Sequence, residues 1–112
     1  MVNATYIPDR GDLIRLDFNP QSGHEQWGKS PALVISPKEY IQRTGLCLVF
    51  PITSKIKGYP FEVVISSPEV HGVILADQIK NLDWKMRNAR FIRKADEVAV
   101  EETILLFSTL IN

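Results

Sequence analysis

Residues 13–18, Leu13-Ile14-Arg15-Leu16-Asp17-Phe18, set the architecture. Ile14, Leu16 and Phe18 alternate with Arg15 and Asp17, the period-2 pattern of a strand with one buried face and one wet face. Just upstream, Asp9-Arg10-Gly11-Asp12 is a turn signal, and residues 1–10 read as an arm. Downstream, Asn19 to Pro31 is polar and contains Pro20, Gly23, Gly28 and Pro31. A loop of about 12 residues is long for so small a domain, and loops of that kind tend to carry function.

Further along, Ala32-Leu33-Val34-Ile35 is a continuous apolar strand. Ser36-Pro37-Lys38-Glu39 predicts a helix start, with Ser36 as N-cap, Pro37 in the first turn and Glu39 closing a capping box. Gly45 ends that short helix by offering a left-handed backbone. Leu46 to Ile52 reads as a strand whose Pro51 predicts an edge or a bulge near its end. Lys55 to Pro60 is a basic loop. Phe61 to Ile65 and Gly72 to Ala76 read as strands joined by a turn containing Ser66, Ser67 and Pro68, and Asn88 to Arg93 reads as the last strand. Asp96 suits the N-cap of a terminal helix, in which Val100, Ile104, Phe107 and Ile111 form one apolar face. Five or six short strands with these helices predict a mainly β fold. The expected form is one compact barrel domain over residues 1–112 with a short internal helix and a C-terminal helix.

Composition narrows the function classes. The chain has 112 residues and 45% hydrophobic content, with Lys+Arg 13 balanced by Asp+Glu 13. Four of the acids, Asp96, Glu97, Glu101 and Glu102, sit in the last segment, so residues 1–95 carry a surplus of positive charge. That surplus suits a short contact to phosphates rather than a broad nucleic-acid track. Cys47 stands alone in the apolar run Leu46-Cys47-Leu48-Val49-Phe50, which predicts a buried, reduced thiol, no disulfide framework and a cytoplasmic setting. No apolar stretch approaches the roughly 20 residues that span a bilayer, and the opening residues do not read as a signal peptide. Together with Cys47, His24 and His71 lack metal-ligand spacing, so no metal and no other cofactor is expected.

The segments Gly11-Asp12-Leu13-Ile14, Asp17-Phe18-Asn19-Pro20, Gly23-His24-Glu25-Gln26 and Pro31-Ala32-Leu33-Val34-Ile35-Ser36 resemble the MazF/PemK toxins. The likeness continues through Pro51-Ile52-Thr53-Ser54, Lys57-Gly58-Tyr59-Pro60-Phe61-Glu62-Val63 and Gly72-Val73-Ile74-Leu75-Ala76-Asp77-Gln78-Ile79. It covers almost the whole chain in the right order. The resemblance implies an SH3-like, CcdB-type β-barrel that forms a homodimer. It further implies a metal-independent endoribonuclease that cuts single-stranded RNA at short sequences, held in check by a MazE-like antitoxin with an acidic C-terminal segment.

Metal-free RNA cleavage uses the 2′-OH as an internal nucleophile. It needs a proton acceptor for that hydroxyl, a proton donor for the leaving 5′-oxygen, and charge or hydrogen bonds around the phosphorane. By resemblance, Thr53 matches a threonine that helps hold the phosphate, and Glu25 matches a glutamate important for activity. Asp77 and Gln78 match positions that contact bases. The family's central arginine, just before the proline of the second strand, is here Ser30. Loss of a preorganised cation there is worth roughly 3–4 kcal/mol, a hundredfold to thousandfold in rate. Lys29 is the adjacent candidate to reach the same phosphate, provided position 30 is still loop. In a strand, Lys29 would face the other side. Arg15, Lys57, Arg87 and Arg90 are more distant cation sources. The expected catalytic set is therefore Thr53, Glu25, Lys29 and Ser30, with His24, Gln26, Ser54, Lys57, Asp77, Gln78 and Arg87 on the RNA. His24 has the intrinsic pKa of an acid–base group. His71 reads as a surface residue. Trp27 is a base-stacking or packing residue, and Trp84 a core or dimer-contact residue. Lys80 to Lys94, with six basic residues, is a candidate surface for RNA or an acidic tail. Ser30 keeps a weakened relative that binds RNA and antitoxin as one alternative. A gyrase-binding poison of the same fold is the other.

Overall fold

A computed structural model describes residues 6–18 and 29–112. Seven strands and two helices follow in chain order: β1 (Asp12–Asp17), β2 (Lys29–Val34), α1 (Lys38–Thr44), β3 (Leu46–Thr53), β4 (Glu62–Ser66), β5 (His71–Leu75), β6 (Lys80–Asp83), β7 (Arg90–Lys94) and α2 (Glu97–Ser108). All pairings are antiparallel. The order β4-β5-β3-β2-β1-β7, with β6 also on β3, forms one strongly curled sheet. Its two ends are drawn together at Glu69. The Glu69 carbonyl accepts a hydrogen bond from Arg15 Nη2 at 3.0 Å, and its carboxylate pairs with Arg93 Nη1 at 3.2 Å.

The alternation in β1 sets the two faces. Ile14 and Leu16 enter one cluster with Ala32, Val34, Ile41, Cys47, Val49 and Trp84. Leu13 points the other way, into a cluster with Leu33, Phe50, Ile52, Ile74 and the inner side of α2. Phe50 is wholly buried and meets Phe107 edge-on at 5.4 Å. Its burial contributes about 1.5–3 kcal/mol. Asp96 caps α2 through Val98 N, as its sequence predicts. The buried residues are Ala99, Val100 and Thr103, with Ile104, Leu106 and Phe107 packed beside them. Ile111 lies beyond the helix and is exposed.

Several local readings need correction. Lys29, Ser30 and Pro31 belong to β2 rather than to the preceding loop. The cap of α1 is Pro37, without a side-chain bond. Ser36 instead accepts from Leu48 N at 3.1 Å, and the first helical amide, Lys38 N, is satisfied by Asp9 Oδ1 at 2.9 Å. A carboxylate distant in sequence thus serves an orphan donor that a local serine was expected to serve. Pro51 sits at neither a free edge nor a bulge. It falls between the last β3–β6 pair, Val49↔Lys80, and the first β3–β5 pair, Ile52↔Ile74, where a residue without N–H is tolerated because the ladder changes partner. Strand β6 has no apolar alternation to announce it. Asn88 has a φ of 57°, which places it in a turn and delays β7 to Arg90.

Cys47 is buried, and that burial pushes its thiol from 9.0 to about 12. As pH rises, the unfolded chain surrenders this proton first. The stability held by the protonated thiol is therefore complete below the unfolded value of 9.0 and is lost as pH climbs toward the folded value of about 12. We expect Tm to decline across that window and Cys47→Ala, although less stable at neutral pH, to decline less steeply. Equal slopes in thermal melts from pH 8 upward would contradict this assignment.

Candidate active site

The end of β3, the turn after it, the start of β4 and the end of β5 enclose a groove of about 290 Å³. Thr53, Lys55, Lys57, Tyr59, Glu62, Leu75, Asp77 and Gln78 line it. Two larger hollows, of about 450 and 530 Å³, lie against α2 and contain none of the residues predicted for the site.

Local chemistry shapes the groove. Thr53 Oγ1 accepts the Lys55 N–H at 3.1 Å, turning the chain immediately after β3. The Glu62 carboxylate gathers the next turn by accepting the backbone N–H groups of Lys57 at 3.1 Å, Gly58 at 3.0 Å and Tyr59 at 3.3 Å. Gly58 adopts a φ of 77°, which glycine allows. The Tyr59 phenol donates to Asp77 Oδ2, and this hydrogen bond is the main reason its pKa is raised above 10.0. The other oxygen, Asp77 Oδ1, is buried and has no hydrogen-bond partner among the described residues. Beneath the groove Gly72 holds β5 against β3. A Cβ at position 72 would lie 2.2 Å from the Thr53 carbonyl oxygen.

The structure thus brings together Thr53, Lys57, Asp77 and Gln78, which the sequence placed in one site, and adds Lys55, Tyr59 and Glu62, which it did not. The anchoring role of Glu62 could not be read from its neighbours, because its partners are backbone amides. Ser54 is exposed in the bend after Thr53. Residues two apart on a strand share a face, so the register Ala32↔Pro51 puts Ser30 and Thr53 on the same side of the sheet. Lys29 faces the other side. Its ammonium donates to the Asn88 carbonyl at 2.9 Å and lies 3.8 Å from Asp17 Oδ2. Arg87 Nη1 donates to the carbonyls of Asp17 and Phe18 and so supports the end of β1. His24, Glu25, Gln26 and Trp27 lie outside the described residues.

The six basic residues from Lys80 to Lys94 do not form a uniform strip. Besides Arg87, Arg93 pairs with Glu69, Lys94 with Asp12, and Lys85 covers the Trp84 ring at 5.6 Å. Trp84 itself packs in the core, and His71 is exposed. Among the described residues no three His, Cys, Asp or Glu side chains are grouped to hold a metal ion. No helix among them is long and apolar enough to cross a membrane.

The chain is similar to known proteins over most of its length. Endoribonuclease toxin MazF of Escherichia coli (strain K12) is 52% identical over 103 residues, covering 92% of this chain and 90% of that protein. A crystal structure of MazF from Deinococcus radiodurans superposes with a TM-score of 0.85 at 44% identity, over 96% of this chain and 98% of the other. A MazE-MazF crystal structure from the same organism gives 0.86 at 42% identity, over 95% and 97%. Residues 9–105 match the model of the PemK-like, MazF-like toxins of type II toxin-antitoxin systems, and to that family this chain belongs.

Proposed function

We propose that this chain is the toxin of a toxin–antitoxin pair and acts as an endoribonuclease on single-stranded RNA. The observation that carries the reading is the convergence of Thr53, Lys57, Asp77 and Gln78 on one groove in a chain of the MazF-like family. Thr53 and a nearby cation hold the scissile phosphate, while the 2′-oxygen attacks phosphorus and the bond to the 5′-oxygen breaks. Asp77 and Gln78 meet unstacked base edges, for which single-stranded RNA is the accessible form. Glu25, from the segment before β2, supplies an acid–base group, His24 contacts the RNA, and no metal takes part. The restraining partner is a MazE-like antitoxin. The protein works in the cytoplasm as a homodimer, for which exposed Val98, Leu105, Leu110 and Ile111 offer apolar surface.

The deciding experiment is cleavage of a defined single-stranded RNA in EDTA. Wild-type protein should cut. Thr53→Ala should cut about 100-fold more slowly with an unchanged melting temperature. Gyrase inhibition with no RNA cleavage would overturn the proposal.

A further inference from the structure

We propose that Lys55 supplies the phosphate-stabilising cation that Ser30 cannot, making it a catalytic residue. This inference rests on the ribonuclease reading given above. As the 2′-oxygen bonds to phosphorus and the 5′-oxygen departs, negative charge concentrates on the two non-bridging oxygens of the phosphorane. A fixed positive group beside them lowers the barrier. Ser30, on the Thr53 side of the sheet, is neutral and cannot provide it.

Of the other cations considered, Arg90 lies on β7, separated from β3 by β2 and β1, and three more are already engaged. Lys29 is held on the opposite face by Asn88 and Asp17. Arg87 donates to the carbonyls of Asp17 and Phe18, and Arg15 to that of Glu69. Lys55 and Lys57 line the groove with Thr53, and neither ammonium has an ion-pair partner among the described residues.

Backbone contacts separate the two lysines. The Lys55 N–H is bonded to Thr53 Oγ1 at 3.1 Å, so its side chain starts beside the threonine. The same bond occupies a lone pair of that hydroxyl and leaves its O–H to donate toward a phosphate. The Lys57 N–H instead rests on the Glu62 carboxylate at 3.1 Å, so its side chain starts from the next turn, two residues farther from the threonine. Lys55 therefore serves the scissile phosphate and Lys57 a flanking one. Lys55 takes no part in the proton transfers. The 2′-hydroxyl proton passes to a base, and the departing 5′-oxygen takes one from an acid or from water. As a point charge without a guanidinium fork, Lys55 contributes charge rather than bidentate geometry.

The test is single-turnover cleavage in EDTA at saturating enzyme, paired with binding of the same RNA carrying a 2′-deoxy block at the cut site. Lys55→Ala should slow cleavage about 100-fold and leave binding of the blocked RNA within about threefold. Lys57→Ala should weaken binding more than it slows cleavage. Lys55→Arg should retain most of the rate, and Ser30→Arg should restore cleavage to Lys55→Ala. A Lys55→Ala rate within about threefold of wild type, or a loss that neither Lys55→Arg nor Ser30→Arg repairs, overturns the assignment while the ribonuclease reading stands. Wild-type protein that binds the blocked RNA but never cuts the unblocked one overturns both.

Discussion

Replacing Gly72 with alanine should lower stability by about 3–5 kcal/mol, the sum of overpacking and backbone strain. The new Cβ would meet the Thr53 carbonyl oxygen at 2.2 Å, its carbon at 2.9 Å and Ser54 Cα at 3.2 Å. All three are main-chain atoms, so no side chain can swing aside. Gly72 also holds a φ of +151°, where an L side chain is strained. Relief requires β5 to move off β3 at Thr53↔Val73, which displaces the threonine of the groove. For a domain of this size we expect a fall in Tm of about 15–25 °C and loss of RNA cleavage even well below the melt. Gly58→Ala is the control. Its Cβ would meet nothing within 4 Å, and only its φ of 77° is unfavourable, so its cost should be about 1 kcal/mol. A Gly72→Ala variant melting within a few degrees of wild type would show that the two strands can separate cheaply.

Asp12→Ala should cost about 2–4 kcal/mol, by removing several hydrogen bonds and leaving partners unpaired. Asp12 is 3% exposed. Its Oδ2 accepts the Tyr6 phenol and the Asp9 N–H, and its Oδ1 lies 2.6 Å from Lys94 Nζ. One side chain thereby joins the arm, the turn before β1 and the end of β7. Tyr6 depends on that bond to stay against Trp84 and Phe91, while burial, first, and then Asp12 raise its pKa and keep the phenol a donor. Lys94 is well exposed, so its release to water recovers part of the loss. Asp12→Asn keeps an acceptor oxygen and should cost about half as much. Denaturant titration distinguishes the cases. Equal midpoints for wild type and Asp12→Ala would refute the linking role.

Where a segment's own pattern determined its environment, it was legible before any coordinates. The alternation of Ile14 and Leu16, the buried Cys47, the left-handed Gly45 and the Asp96 cap are of this kind, because each depends on neighbours within a few residues. Lys80–Asp83 became a strand for a reason outside itself. It pairs with Leu46–Val49 on β3, and tertiary pairing overrides weak local preference. The capping of Lys38 by Asp9 failed to show for the same reason. In the groove, Thr53, Lys57, Asp77 and Gln78 were legible through motif resemblance. Glu62 and Tyr59 act through a carboxylate-to-amide net and a phenol–carboxylate bond, neither of which leaves a spacing signature. The position of Lys29 hinged on whether β2 begins before Pro31, a boundary that a proline in the run obscures.

The handover of β3 from β6 to β5 around Pro51 has a mechanical result. The β4–β5 hairpin joins the remaining sheet through Ile52 and Thr53, whereas the opposite side of β3 is sewn to β2 and its first half to β6. The hairpin's far end is tied separately, because Glu69 in its turn holds Arg15 and Arg93, so the width of the groove depends jointly on a two-residue pairing at one end and an ionic latch at the other.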